Sequence, residues 1–334
     1  LTTIHHGDDG DHRFGIVSAF GAEADILIEH TTDRQTHVLH GRHFTTGVLC
    51  GQRVVIVLCG VGMVNATMVT QLMLDRFGVD RLLMSGIAGG VNPENHVGDV
   101  TVPDRWAMPM EAFWHGDPSP PSPCGTPGDV TCLGIQLAFG ANGQPLPPFV
   151  MPTREGERHA GLFLRDNHLL NASTAPAGRH VFDYPVDAEM LEVARALAPP
   201  LARHGPKAVR PDGSIDARLC VHRQPRLLVG GRGVSTPVFL ANAAYRHYLH
   251  DVLQAQTVDM ETAALAHVAH ANEVPFIAFR SLSDLAGADG FDADVAALYG
   301  GGLAELNASA VTLGFLQAWG VRPRAVGAGV STGV

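Results

Sequence analysis

The sequence predicts an α/β protein: one domain on a central mixed, mostly parallel twisted sheet flanked by helices, with a loop-rich segment inserted at about 115–180. Three observations carry this expectation. Short apolar, β-branched runs alternate with stretches whose apolar residues recur at helical spacing, as strands joined by covering helices do. Hydrophobic residues make up 46% and charged residues 17% of a 334-residue chain, enough to bury a sizeable core. The 38 Gly and 22 Pro suit a fold with many turns and argue against a coiled coil or a disordered chain.

After a polar leader at 1–13, FGIVSAF (14–20) reads as a buried first strand and AEADILIEH (22–30) as a helix. HVLHGRHFTTGVLC (37–50) and RVVIVLCGVG (53–62), joined by a turn at Gly51-Gln52, read as a hairpin. MVNATMVTQLMLDRF (63–77) has helical spacing, and VDRLLMSGIAGG (79–90) returns to a strand ending in a glycine loop. The 115–180 segment, with PSPPSPCGTPGD and GANGQPLPP, is too long and too punctuated for an ordinary connection and reads as an insertion. A helix at 186–203, stopped near Pro199, and a strand near RLLVGG (226–231) follow. Helix ANAAYRHYLHDVL (241–253), strand TVDME (257–261), helix TAALAHVAHAN (262–272), strand PFIAFRSLSD (275–284) and a closing helix at 296–318 complete the domain. It spans 14–320, with tails at 1–13 and 321–334.

A net charge of −10 without a Lys/Arg stripe excludes nucleic acid as an expected partner, and no run of 18 apolar residues suggests a membrane span. Five cysteines are too few for a disulfide scaffold, although Cys124 and Cys132 bracket a Pro/Gly-rich loop and could pair in an oxidising compartment. The chain opens on Leu1 without a signal-peptide pattern, which leaves cytoplasmic and exported (periplasmic) locations both open. His267 and His270 stand at i, i+3, and neither they nor His5 and His6 form a recognised metal-binding spacing; no metal and no cofactor are expected. No G-x-S-x-G elbow is present, and no cysteine has an evident base beside it, so acyl transfer lacks support.

CGVGMVNA (59–66) follows a strand and opens a helix, but Asn65 replaces the third glycine of a dinucleotide fingerprint. A tight turn, with backbone N–H groups that could face a ligand, explains Gly60 and Gly62 equally well. SGIAGG (85–90) lies at the carboxyl end of a strand, where open α/β sheets place ligands; a flexible turn is the plainer explanation. Asp259 and Glu261 flank a strand-to-helix transition, where one acid can serve the helix terminus. Asp284 closes an apolar strand, as a ligand-facing carboxylate or as a helix cap.

Taken together, GIVSAFGAEAD (15–25), CGVGMVNATMVTQ (59–71), SGIAGGVNPENHVGDV (85–100) and VDMETAALAHVAHANEVPFIAFRSLSD (258–284) resemble the purine nucleoside phosphorylase/uridine phosphorylase superfamily. The branch most similar is the methylthioadenosine/S-adenosylhomocysteine nucleosidases, in a long variant carrying an insertion. The resemblance implies hydrolysis of the N-glycosidic bond of a purine nucleoside. It implies that Glu23 activates the attacking water, helped by Arg280, and that Asp284, supported by Ser283, serves the purine N7. Glu261 would hold the ribose hydroxyls, with Met260 beneath the sugar. Phe20, Ala88 and Gly89 are the further residues it places against the substrate. A homo-oligomer is also implied.

Two departures accompany the resemblance. Ile87 stands where the nucleosidases commonly place a hydroxyl residue. The base-stacking aromatic expected after the strand near 228–233 is replaced by GRGVST, which puts Val234 and Ser235 at the contact positions. Two other functions stay open. A phosphorylase would gather arginines around phosphate, whereas SGIAGG offers none and Glu23 would repel the anion. A binding or storage protein that has lost catalysis would not need three such carboxylates.

Overall fold

The computed structural model describes residues 12–109, 111–120, 122–125, 129–151, 161–288 and 301–322. The first strand, β1 (Arg13–Ser18), is followed by α1 (Gly21–His30), then β2 (Thr32–Leu39), β3 (Arg42–Leu49) and β4 (Gln52–Leu58). The run 37–50 is therefore not one arm of a hairpin. It turns at His40–Gly41, both in the left-handed region, so three antiparallel strands form where two were expected. Helix α2 (Met63–Phe77) leads to β5 (Arg81–Gly90), β6 (Val100–Val102), β7 (Arg105–Ala107) and β8 (Ala112–His115). Then come β9 (Gly161–Leu164), β10 (Asn167–Leu169), β11 (Arg179–Val181), β12 (Asp183–Pro185) and α3 (Ala188–Arg195). The chain continues through β13 (Leu227–Val229), β14 (Arg232–Ser235), α4 (Ala243–Leu253), β15 (Ala255–Asp259), α5 (Thr262–Ala271), β16 (Phe276–Asp284) and α6 (Leu303–Val321).

Two helices differ from their predicted spans. Asp187 caps α3 by accepting from the Met190 N–H, and the helix closes well short of residue 203, since Pro199 and Pro200 cannot continue it. The last helix starts at Leu303, behind a left-handed Gly302, rather than at 296; residues 296–300 lie outside the described residues.

A 12-stranded sheet organises the molecule, in the order β12-β7-β14-β15-β5-β1-β4-β3-β2, with β16, β6 and β13 branching from β5. It is mixed: β4-β1-β5-β16 and β7-β14-β15 run parallel within each group, whereas β15 meets β5 antiparallel. Every residue of β16 is buried, and so is all of β5 beyond Arg81, as strands covered on both faces must be. Between 112 and 181 the chain forms two separate two-stranded ladders, β8 with β9 and β10 with β11, and a disulfide joins Cys124 to Cys132. This segment packs Ala138 and Leu164 into the apolar cluster that holds Leu249 and Leu253 of α4. Among the described residues no helix is long and apolar enough to cross a membrane.

The feature that positions the site is a change of partner along β5. Residues 81–84 pair with β1 on one edge, and 89–90 pair with β15, while β16 follows β5 from Leu82 to Gly89. Between Met84 and Gly89 that edge has no strand beside it among the described residues, so its polar groups need other partners. Side chains supply them: Ser18 Oγ donates to the Ser85 carbonyl at 2.8 Å, and the Ile87 N–H donates to Glu23 Oε1 at 2.8 Å.

Candidate active site

Where β1 and β15 part from β5, a cleft of about 560 Å³, mouth included, opens over the carboxyl ends of the parallel strands. Its walls include Glu23, Phe20, Ala88, Gly89, Met260, Glu261, Arg280, Ser283 and Asp284. These residues come from four separate stretches of the chain.

Glu23 stands in the first turn of α1 and serves two elements at once. Its Oε2 accepts from the N–H groups of Ala19, at 2.5 Å, and Phe20, at 3.2 Å, satisfying donors that a helix start leaves open. Its Oε1 bonds to Ile87 on β5. Only glycine fits beneath it, because a Cβ at Gly86 would lie 2.2 Å from Glu23 Oε1. Burial raises the Glu23 pKa, overriding the opposing pull of Arg280 and the backbone donors.

Glu261, at the start of α5, accepts from Gly62 N–H at 2.8 Å and from Arg280 Nη2 at 3.2 Å. Gly62 has φ +100, a conformation that favours glycine, and its N–H is thereby spent on Glu261 rather than on a ligand. Burial raises the Glu261 pKa to about 7; Arg280 opposes this and nearby Asp259 adds to it. Asp284 ends β16 and accepts from Ser283 Oγ at 2.9 Å and Ala286 N–H at 2.8 Å, yet burial still raises its pKa.

Arg280 is the one cation among the described residues lining the cleft, and it is 1% exposed. Burial works against its charge, but Asp259, Glu23 and Glu261 outweigh that and raise its pKa. Its Nε lies 3.0 Å from Asp259 Oδ2, an ion pair whose angle falls short of a hydrogen bond. Its buried Nη1 makes no hydrogen bond to the described protein and lies, with Glu23 Oε1, against the open face of Gly86. Cys59, behind this group, has its thiol pushed up to about 12 by burial and by Glu261 and Glu23, so it is no nucleophile at neutral pH.

Two expected contact residues do not reach the cleft. Val234 and Ser235 are fully buried, and Ser235 Oγ instead donates to Asp259 and accepts from Ala263 N–H at 2.7 Å. The β14–β15 register sets this, placing Ser235 opposite Asp259 and turning it toward the start of α5. The aromatic taken to be missing is supplied a few residues later: Phe239 lines the cleft, beside Val238 and Leu240. The apolar run VFL (238–240), set between a strand and a helix with an Asn cap, was the available signal. Among the described residues, no cluster of His, Cys, Asp and Glu could hold a metal ion.

The fold and this acid-lined cleft define the class. The phosphorylase superfamily model matches residues 13–316, and the chain belongs to that superfamily. It is 26% identical over 278 residues to the 5′-methylthioadenosine/S-adenosylhomocysteine nucleosidase of Tolumonas auensis, covering 83% of this chain and 88% of that protein. The S. pneumoniae nucleosidase of the same name, solved with a transition-state inhibitor, superposes with a TM-score of 0.59 at 21% identity, covering 92% of this chain and 99% of that one. Futalosine hydrolase of Helicobacter pylori superposes with a TM-score of 0.57 at 18% identity, covering 92% and 97%.

Proposed function

We propose that this chain hydrolyses the N-glycosidic bond of a purine nucleoside of the methylthioadenosine/S-adenosylhomocysteine type, releasing the free base and the ribose moiety. The carrying observation is the nucleophile side of the cleft. A carboxylate anchored by three backbone N–H groups stands there, beside an Arg280 nitrogen that makes no hydrogen bond among the described residues. A water suits that pair, because the carboxylate can accept its proton. A phosphate dianion does not: Glu23 would repel it, and the guanidinium already faces Asp259 and Glu261. The nucleosidase and hydrolase relatives favour the same reading.

In this mechanism the water oxygen attacks C1′ as the C1′–N9 bond breaks, and Glu23 takes its proton. The bonding pair leaves with the purine, and Asp284, whose raised pKa lets it hold a proton, delivers that proton to N7. Glu261 holds the ribose hydroxyls over Met260 and opposes the positive charge that builds on the sugar, as carboxylates do in glycoside hydrolysis. Exposed Val61, Val238 and Phe239 at the mouth suit the expected homo-oligomer, which analytical ultracentrifugation tests.

The deciding assay incubates the protein with methylthioadenosine, adenosine or inosine, with and without phosphate, and identifies the sugar product. Free sugar formed without phosphate is expected. Strict phosphate dependence with a sugar 1-phosphate product overturns the hydrolase in favour of a phosphorylase, and no base release under either condition overturns catalysis itself.

A further inference from the structure

Asp259 lines the cleft with its side chain almost wholly buried, Ser235 lies behind it, and their contacts converge on one function. Asp259 Oδ1 accepts from Ser235 Oγ and from the N–H groups of Glu261 and Thr262, both at 3.2 Å. Its Oδ2 accepts from Thr262 Oγ1 and faces Arg280 Nε at 3.0 Å. Ser235 is itself fixed from the other side by the Ala263 N–H. A carboxylate held by this many donors is fixed in place. Arg280 is thus gripped along its Nε edge, with Nη2 turned to Glu261 and Nη1 left beside Glu23.

We propose that Ser235 and Asp259 are positioning residues that aim Arg280. Ser235 acts through Asp259, and Asp259 through the guanidinium. Without Asp259 the guanidinium is free to turn toward its two remaining acids, Glu23 and Glu261, and Nη1 ceases to be available to the nucleophile. Groups that orient a reacting molecule act on the chemical step more than on ground-state binding. The inference rests on the hydrolase reading for its kinetic arm and is independent of that reading in its spectroscopic arm.

The test compares Ser235→Ala, Asp259→Asn, Asp259→Glu and Arg280→Lys, alone and in pairs. Asp259→Asn is expected to lower kcat by roughly 30- to 100-fold while KM changes less than about threefold, and Ser235→Ala to lower kcat by roughly 5- to 10-fold. Ser235→Ala added to Asp259→Asn should cost nothing further, and Asp259→Asn with Arg280→Lys should fall well short of the product of the single effects. Multiplicative losses in both pairs, or losses confined to KM, overturn the relay. Asp259→Glu, which keeps the charge, should recover part of the kcat lost in Asp259→Asn. If the Asn variant does not fold, the Ser235→Ala and Arg280→Lys pair carries the same criterion. Carboxyl ¹³C titration of labelled glutamate covers the case in which no nucleoside is cleaved. Asp259→Asn should then lower the midpoint of the Glu261 carboxyl, and an unchanged midpoint overturns the coupling whatever the protein's reaction is.

Discussion

Replacing Gly86 by Ala tests the site through a single methyl group. The added Cβ would lie 2.2 Å from Glu23 Oε1, 2.6 Å from its Cδ and 2.8 Å from Arg280 Nη1. An ordinary carbon–oxygen approach is about 3.3 Å, so the carboxylate must retreat by roughly 1 Å. That breaks its 2.8 Å bond to Ile87 N–H and leaves a buried donor unmet, at about 1–3 kcal/mol. Stabilities of about 5–15 kcal/mol absorb such a loss, so the variant folds with Tm lowered by several degrees. A group displaced by 1 Å from its productive position costs about 100-fold in rate, and that is the expected fall in kcat. The assay is base release under saturating nucleoside, alongside circular dichroism. Gly314→Ala in α6 is the control: its Cβ meets nothing within 4 Å, so stability should rise by about 0.5–1 kcal/mol with kcat unchanged. A Gly86→Ala enzyme with wild-type kcat refutes the placement of Glu23 in the reaction.

Asp284→Asn is expected to lower turnover about 100-fold or more with the fold intact, as for loss of a general acid; a change under tenfold means the proton donor lies elsewhere. Phe239→Ala should raise KM about tenfold and spare kcat if the ring packs on substrate, and an unchanged KM removes it from the binding surface. Glu261 titrates at about 7 in the folded chain against 4.5 unfolded, so the folded state binds the extra proton between those values. Its stabilising share is complete below 4.5 and falls as pH rises through 7, by about 3 kcal/mol. His96, His267 and His270, all lowered, act in the opposite sense, so the quantity to measure is the urea-derived stability of wild type minus that of Glu261→Gln. A difference that is flat or rises from pH 4.5 to 7 contradicts the raised pKa.

Part of this candidate site is marked by local patterns: Asp284 ends an apolar run and Glu261 opens an apolar helix, both at the carboxyl end of a strand. Glu23, in the first turn after a buried strand, was singled out only by the family resemblance. What stayed illegible depends on partners distant in the chain. Ser235 faces away from the cleft because β14 pairs with β15 in one register, which no periodicity of a four-residue strand could reveal. Phe239 was missed because the loop after β14 is irregular, and its course follows its neighbours rather than its own sequence. The division of β5 between β1 and β15, which creates the cleft, is likewise a tertiary event inside an unbroken apolar run.

The charge balance of the cleft links that geometry to the proposed chemistry. Glu23, Asp259, Glu261 and Asp284 are all nearly buried, and Arg280 is the only cation among the described residues around them. Four ionised carboxylates facing one guanidinium would leave a large uncompensated charge in a region poor in water, which proteins do not sustain. The raised pKa values of Glu23, Glu261 and Asp284 express the same constraint: protons are retained among them at a pH where free carboxyls have lost theirs. A neutral nucleoside does not relieve this crowding, but a sugar gaining positive charge at C1′ does. In the proposed reaction this strain would be relaxed most as charge develops at C1′, which is the condition for accelerating cleavage rather than only binding the reactant. Glu261→Gln should accordingly lower kcat far more than it raises KM; the reverse outcome would mean that the acids hold the ligand without driving its cleavage.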